Sequence, residues 1–104
     1  MQYVIMLSHP PHLSPLSNKV TREMADRSYA QMPALTEKHK VKVVAGYHLD
    51  PEHRAMVVVE APSIEAVRDL LYEAGFMHWN DATIYPTTPL HEIHEWVKTQ
   101  PTIF

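Results

Sequence analysis

Residues 53–75, HRAMVVVEAPSIEAVRDLLYEAG, hold a strand, a helix start, a helix and its end in one uninterrupted reading. Met56 to Val59 is an unbroken apolar, β-branched run, which predicts a strand over 53–61. Pro62 cannot extend a ladder, and Ser63 behind it is a good N-cap. Glu65 suits the positive end of a helix dipole. Ile64, Val67, Leu70, Leu71 and Ala74 recur at helical spacing. Gly75 supplies the left-handed residue on which helices commonly end. A strand that feeds directly into a helix of three turns is half of a crossover unit, so the question is what flanks it.

Upstream, VKVVAGYHL (41–49) reads as a strand, and a tight Asp50-Pro51-Glu52 turn joins it to the strand at 53–61. Before it, a helix is expected from Ser17 or Asn18 to about residue 39, with Val20, Met24, Met32 and Leu35 as its stripe and Pro33 kinking or splitting it. The first strand is QYVIMLS (2–8), stopped by His9-Pro10-Pro11. Downstream, FMHWN leads to a fourth strand, DATIYP (81–86). Thr88 is then expected to cap a last helix with Pro89 at its first position and Leu90, Ile93 and Val97 on one face. The order is βαββαβ plus a C-terminal helix, all in one domain spanning 1–104. That is the split βαβ pattern of an α+β, ferredoxin-like fold. Right-handed crossovers then give a four-stranded antiparallel sheet of order 4-1-3-2.

In this topology both long helices cover the same face of the sheet. Tyr3 to Leu7 and Met56 to Val59 do not alternate apolar with polar, although a sheet with one wet face should. The helix-free face therefore needs a cover, and the simplest is a second copy, which makes a homodimer. At this point the chain resembles the dimeric α/β-barrel superfamily. Ala61-Pro62-Ser63-Ile64-Glu65-Ala66-Val67 is similar to the third-strand-to-second-helix junction of muconolactone-isomerase-like members. The resemblance implies that two sheets close into one barrel. It also implies a choice of functions, since members include cofactor-independent isomerases and monooxygenases, haem-binding and haem-degrading proteins, and small binding proteins. The matching residues are a cap and a core stripe, so no catalytic residue is carried over.

Composition narrows the classes. A formal charge of −3 among 104 residues argues against nucleic acid, because nothing supplies the counterion-release term. Without cysteine there is no disulfide, thiolate nucleophile or Cys-type zinc site, which fits a cytoplasmic protein. The N-terminus lacks the basic region of a signal peptide. No stretch approaches the ~20 apolar residues of a membrane span, so no membrane partner is expected.

The chemical signal is eight histidines. The topology brings His9, His12, His48, His53 and His78 to one rim of the sheet, with the acids Asp50, Glu52 and Asp81. Three or four converging imidazoles would suit a divalent transition metal (Zn, Cu, Ni or Fe), and a single ring would suit haem. A shared rim still leaves rings up to ~15 Å apart across four strands, so only neighbours can chelate together. A second cluster, His91, His94 and Glu95, shares one helix face but is one residue short of the zincin spacing, and it reads as structural. With two glycines there is no phosphate-binding loop. The aromatics Tyr3, Tyr29, Tyr47, Tyr72, Phe76, Trp79 and Tyr85 could line a pocket between sheet and helices. The leading expectation is a small homodimeric protein whose rim histidines hold a metal or haem. The rival is a cofactor-independent enzyme of isomerase or monooxygenase type. It would act on a small, partly apolar organic molecule with His9, His48 or His78 as general base.

Overall fold

A computed structural model describes residues 1–104. The strands are β1 (Gln2–Ser8), β2 (Lys42–His48), β3 (Arg54–Glu60) and β4 (Asp81–Pro86), and the helices are α1 (Lys19–His39), α2 (Ile64–Ala74) and α3 (Leu90–Val97). Single 3₁₀ turns at Pro11–Leu13 and Phe76–His78 follow β1 and α2. The sheet order is β2-β3-β1-β4 with every neighbouring pair antiparallel, which is the expected α+β, ferredoxin-like arrangement read from its other edge.

Local signals around α2 act as the sequence implies. Ser63 Oγ accepts from the Ala66 amide at 3.1 Å, and Gly75 takes φ 87° while its amide donates to the Tyr72 carbonyl. Asn18 caps α1 by accepting from the Thr21 amide. Three expectations need correction. Pro33 does not split α1, which runs through it for 21 residues. Pro33 lies on the exposed side, so water can reach the carbonyl that its missing N–H leaves free. The buried stripe of α1 is Thr21, Ala25, Ser28 and Leu35 rather than one led by Val20, which is exposed. These small side chains let α1 approach α2 closely. Finally, Thr88 does not cap α3; Pro89 holds that place without a side-chain cap, and no residue of α3 is buried.

Register assigns each strand residue to a face, since direct partners point the same way and neighbours alternate. Tyr3, Ile5 and Leu7 lie opposite Val59, Val57 and Ala55, and all face the helices. With Val67, Leu70, Leu71, Ala74, Phe76 and Trp79 they form the core. The other face carries Val4 and Met6, their partners Val58 and Met56, then Ala45, Tyr47 and Tyr85. No helix of this chain covers it. Val44 is the odd residue in a β2 bulge, where the register skips from Val43 to Ala45.

Candidate functional site

The ends of β1 and β2 and the start of β3 meet at one rim, as expected: the His9 amide donates to the His53 carbonyl, closing that end of the sheet. Beneath the rim, between sheet and helices, lies an apolar cleft of about 410 Å³. Its floor is Ile5, Leu7, Ala55, Val57 and Val59, and its walls include Tyr29 and Met32 of α1 and Leu70, Leu71 and Phe76. It shares Leu7, Tyr29, Ala55 and Phe76 with a second hollow of about 250 Å³, whose remaining lining includes His9, His48, Arg54, Ser14, Trp79 and Asn80. Through these shared residues the two adjoin, giving an apolar interior and a polar mouth, where Arg54 is paired with Glu52 at 3.3 Å.

Asn80 sets the chemistry of His9. Its Nδ2 donates to the Phe76 carbonyl at 3.1 Å, and a carbonyl can only accept, so the amide cannot be turned round. Asn80 Oδ1 therefore faces His9 Nδ1, 3.0 Å away, and that nitrogen must carry the hydrogen. The neutral ring then has its lone pair on Nε2, which is buried without a hydrogen-bond partner. Trp79 Nε1, a pure donor, is buried and unpartnered too, and the two rings are 5.1 Å apart between centroids. An unmet acceptor and an unmet donor on one cavity wall are each costly, by about 1–3 kcal/mol. Both atoms are closed off from the hollow that their rings line, so a ligand oxygen meets them only after a shift of those rings.

The five rim histidines separate. His53 packs beside His9 with ring centroids 5.5 Å apart, and His48 lines the same cavity. His48 Nδ1 also pairs with Asp50 at 2.7 Å, in an exposed contact. His78 lies against Gly75 and Ser28 in a different hollow, between α1 and the end of α2. His12 is exposed in the 3₁₀ turn, where its carbonyl accepts from Asn18. No group of three or more His, Asp or Glu side chains is placed to hold a metal. His91, His94 and Glu95 are all exposed on α3, so the structural role expected for His94 is not met within one chain. Of the aromatics, Tyr29, Phe76 and Trp79 line the site and Tyr3 is core, whereas Tyr47, Tyr72 and Tyr85 are exposed.

Sequence reasoning missed Asn80 and Arg54. Asn80 comes four residues after a buried phenylalanine and directly after a buried tryptophan, and a buried asparagine must find partners. That was its one visible signal. No family profile matches this sequence, and no match is found among curated proteins. Among solved structures, SCO4226 from Streptomyces coelicolor A3(2) is similar over 84% of this chain and 96% of that one, with a TM-score of 0.54 and 15% identity. That likeness shows a shared fold. The MjSpt4:Spt5 complex aligns over 100% of this chain and 58% of that one, at 19% identity and a TM-score of 0.41. No helix of the chain is long and apolar enough to cross a membrane.

Proposed function

We propose that the protein binds a small organic molecule with an apolar body and a hydroxyl, enol or carboxylate head, and moves a proton on it with His9. The observation that carries this reading is the Asn80-held His9, with its unpartnered Nε2, where the apolar cleft meets the polar mouth. The body would fill the cleft under α1. The head would lie in the hollow that His9 and Trp79 line, at the mouth of the cleft. His9 Nε2 would take a proton from the carbon beside a carbonyl and return it. Such an isomerase-type exchange is redox-neutral and needs no cofactor. The working unit in this reading is a homodimer joined through the helix-free sheet face, whose apolar centre one chain leaves uncovered.

Phenylpyruvate is a suitable probe, since it has an aromatic body, a carboxylate and an enolisable methylene. Titration should shift the amide resonances of Tyr29, Ala55 and Phe76, and methylene exchange with deuterated solvent should accelerate. His9→Gln should abolish about 10²–10⁴-fold of that acceleration. Binding without exchange would leave a binding protein and remove the enzyme. No binding of this or related aromatic acids would sink the whole reading.

A second reading keeps the metal, favoured by the adjacent His9 and His53 rings and by His48 on the same cavity. A divalent transition ion held there would take its remaining ligands from water or a second copy. Elemental analysis of untagged protein decides it. Less than about a tenth of an equivalent of Zn, Cu, Ni or Fe, with no Soret shift on adding haemin, removes both metal and haem.

A further inference from the structure

The last 15 residues run away from the domain. None of Leu90 to Phe104 is buried, and Leu90 and Ile103 are 87% and 91% exposed. The chain measures 54 × 31 × 18 Å with a Cα radius of gyration of 16.5 Å, against ~13 Å for a compact domain of this length. Yet the segment is not polar. Leu90, Ile93, Trp96 and Val97 make one apolar face of α3, and Ile103 and Phe104 follow. A helix of eight residues has no stability of its own and needs such a face buried. Its root is fixed, because Thr87 holds the Gln2 carbonyl with both its amide and its hydroxyl.

We propose that this C-terminal segment is an exchange arm, and that each copy in a dimer lays its α3 on the body of the other. The inference rests on the homodimer proposed above and adds to it the segment that makes it stable. The helix-free face spans roughly 19 by 23 Å, or about 400 Å², from three strands of seven residues and one of six. A stable interface buries about 800 Å² per partner. Six apolar side chains of the arm, at about 100 Å² each, bring the sum past that value. The landing surface is β2 of the other copy. There Val44, in the bulge, and Tyr47, on the helix-free face, are exposed on an unpaired edge strand, the situation that proteins otherwise avoid. The arm leaves β4, at the opposite edge of the sheet, so one chain cannot bring the two together in its own observed form. The two sheet faces meet about a two-fold axis, so the exchange is reciprocal and closes at two.

The full chain should scatter light as a species of twice its 12.0 kDa mass at micromolar concentration. Leu90→Glu combined with Ile93→Glu touches no buried residue and should leave the cooperative unfolding of the domain in place, yet weaken dimerisation at least tenfold, with no more helical signal lost than the eight residues of α3 supply. The emission of Trp96, read as the difference from Trp96→Phe, should be shielded from acrylamide in the dimer and quenched on dilution. A dimer whose affinity survives the double arm variant but is lost in Val58→Glu is joined face to face without exchange, and overturns the arm. A monomeric wild type overturns both arm and dimer. So does a Trp96 blue shift seen only with phosphatidylcholine vesicles, which would assign the arm to a lipid surface.

Discussion

Asn80 Oδ1 accepts a hydrogen bond from His9 Nδ1 across 71 positions of sequence, and the pair fixes which nitrogen of the ring is basic. The β1 end supplies the histidine and the loop before β4 supplies the asparagine, so their pairing is a product of β1 and β4 lying side by side. Long-range proton–nitrogen correlation spectra at a pH where the ring is neutral should show His9 as the Nδ1–H form. Finding the hydrogen on Nε2 would contradict the geometry. Asn80→Ala should release the ring to both forms and cost about 1–3 kcal/mol, because His9 Nδ1 then loses its acceptor, while the Phe76 carbonyl keeps the Asn80 amide.

Two helix ends carry left-handed residues of opposite suitability, so they predict opposite signs. Lys40 ends α1 at φ 57° and ψ 38°, a conformation that a side chain with a Cβ resists. Lys40→Gly should raise stability by about 0.5–1 kcal/mol in chemical denaturation. Gly75 ends α2 at φ 87°, and a Cβ there would come within 3.3 Å of His78 Cδ2 and 3.5 Å of Ser28 Oγ. Gly75→Ala should therefore lower stability by about 1–2 kcal/mol. Equal effects at the two sites would mean that backbone strain is not what distinguishes them.

Glu73 ties the ends of the two long helices together, accepting from Lys38 and facing His39 Nε2. The Lys38 hydrogen bond, and then that of His39, holds the Glu73 carboxyl below its ordinary value of 4.5. A depressed carboxylate stabilises the fold above its unfolded value and loses that contribution as pH falls through the folded one. The Tm difference between wild type and Glu73→Gln should thus be present above about pH 5 and shrink as pH drops below about 4. The contact is exposed, so half-molar salt should reduce the difference too. A difference that grew on acidification would refute the assignment.

The element order was legible because its signals are local. Ser63, Gly75 and Asn18 act on amides and carbonyls within three residues of themselves, and the apolar runs of β1 and β3 needed no partner to be read. The face of α1 was misread because Thr21 and Ser28 are polar by composition yet fit where two helices meet closely. The rim was legible and the site was not. Strand direction brings His9, His48 and His53 to one end. Whether rings share a cavity depends on side-chain direction and on loops, and those sent His78 behind Gly75 and His12 to solvent. Asn80, which orients His9, carries no motif at all. The stripe of α3 is apolar as its spacing implies, yet none of it is buried, since periodicity reports that a face needs cover and not which chain provides it.

Ala55 is the position where the site can be closed without touching its chemistry. It faces the helices from β3, directly opposite Leu7, and lines both the apolar cleft and the polar mouth. It is partly exposed, so a larger side chain there enters open space rather than a packed core. Ala55→Leu adds three methylene-sized groups, each occupying room that the body of a ligand needs. Stability should change by less than about 1.5 kcal/mol, the range for tolerated apolar swaps, and additional burial of leucine offsets part of any strain. Binding of phenylpyruvate, followed by the Tyr29 and Phe76 resonances, should weaken at least tenfold while the His9 ring keeps its Nδ1–H form. Val58→Leu, on the helix-free face, is the control and should leave binding unchanged. Loss of binding in both variants would place the ligand on the wrong side of the sheet.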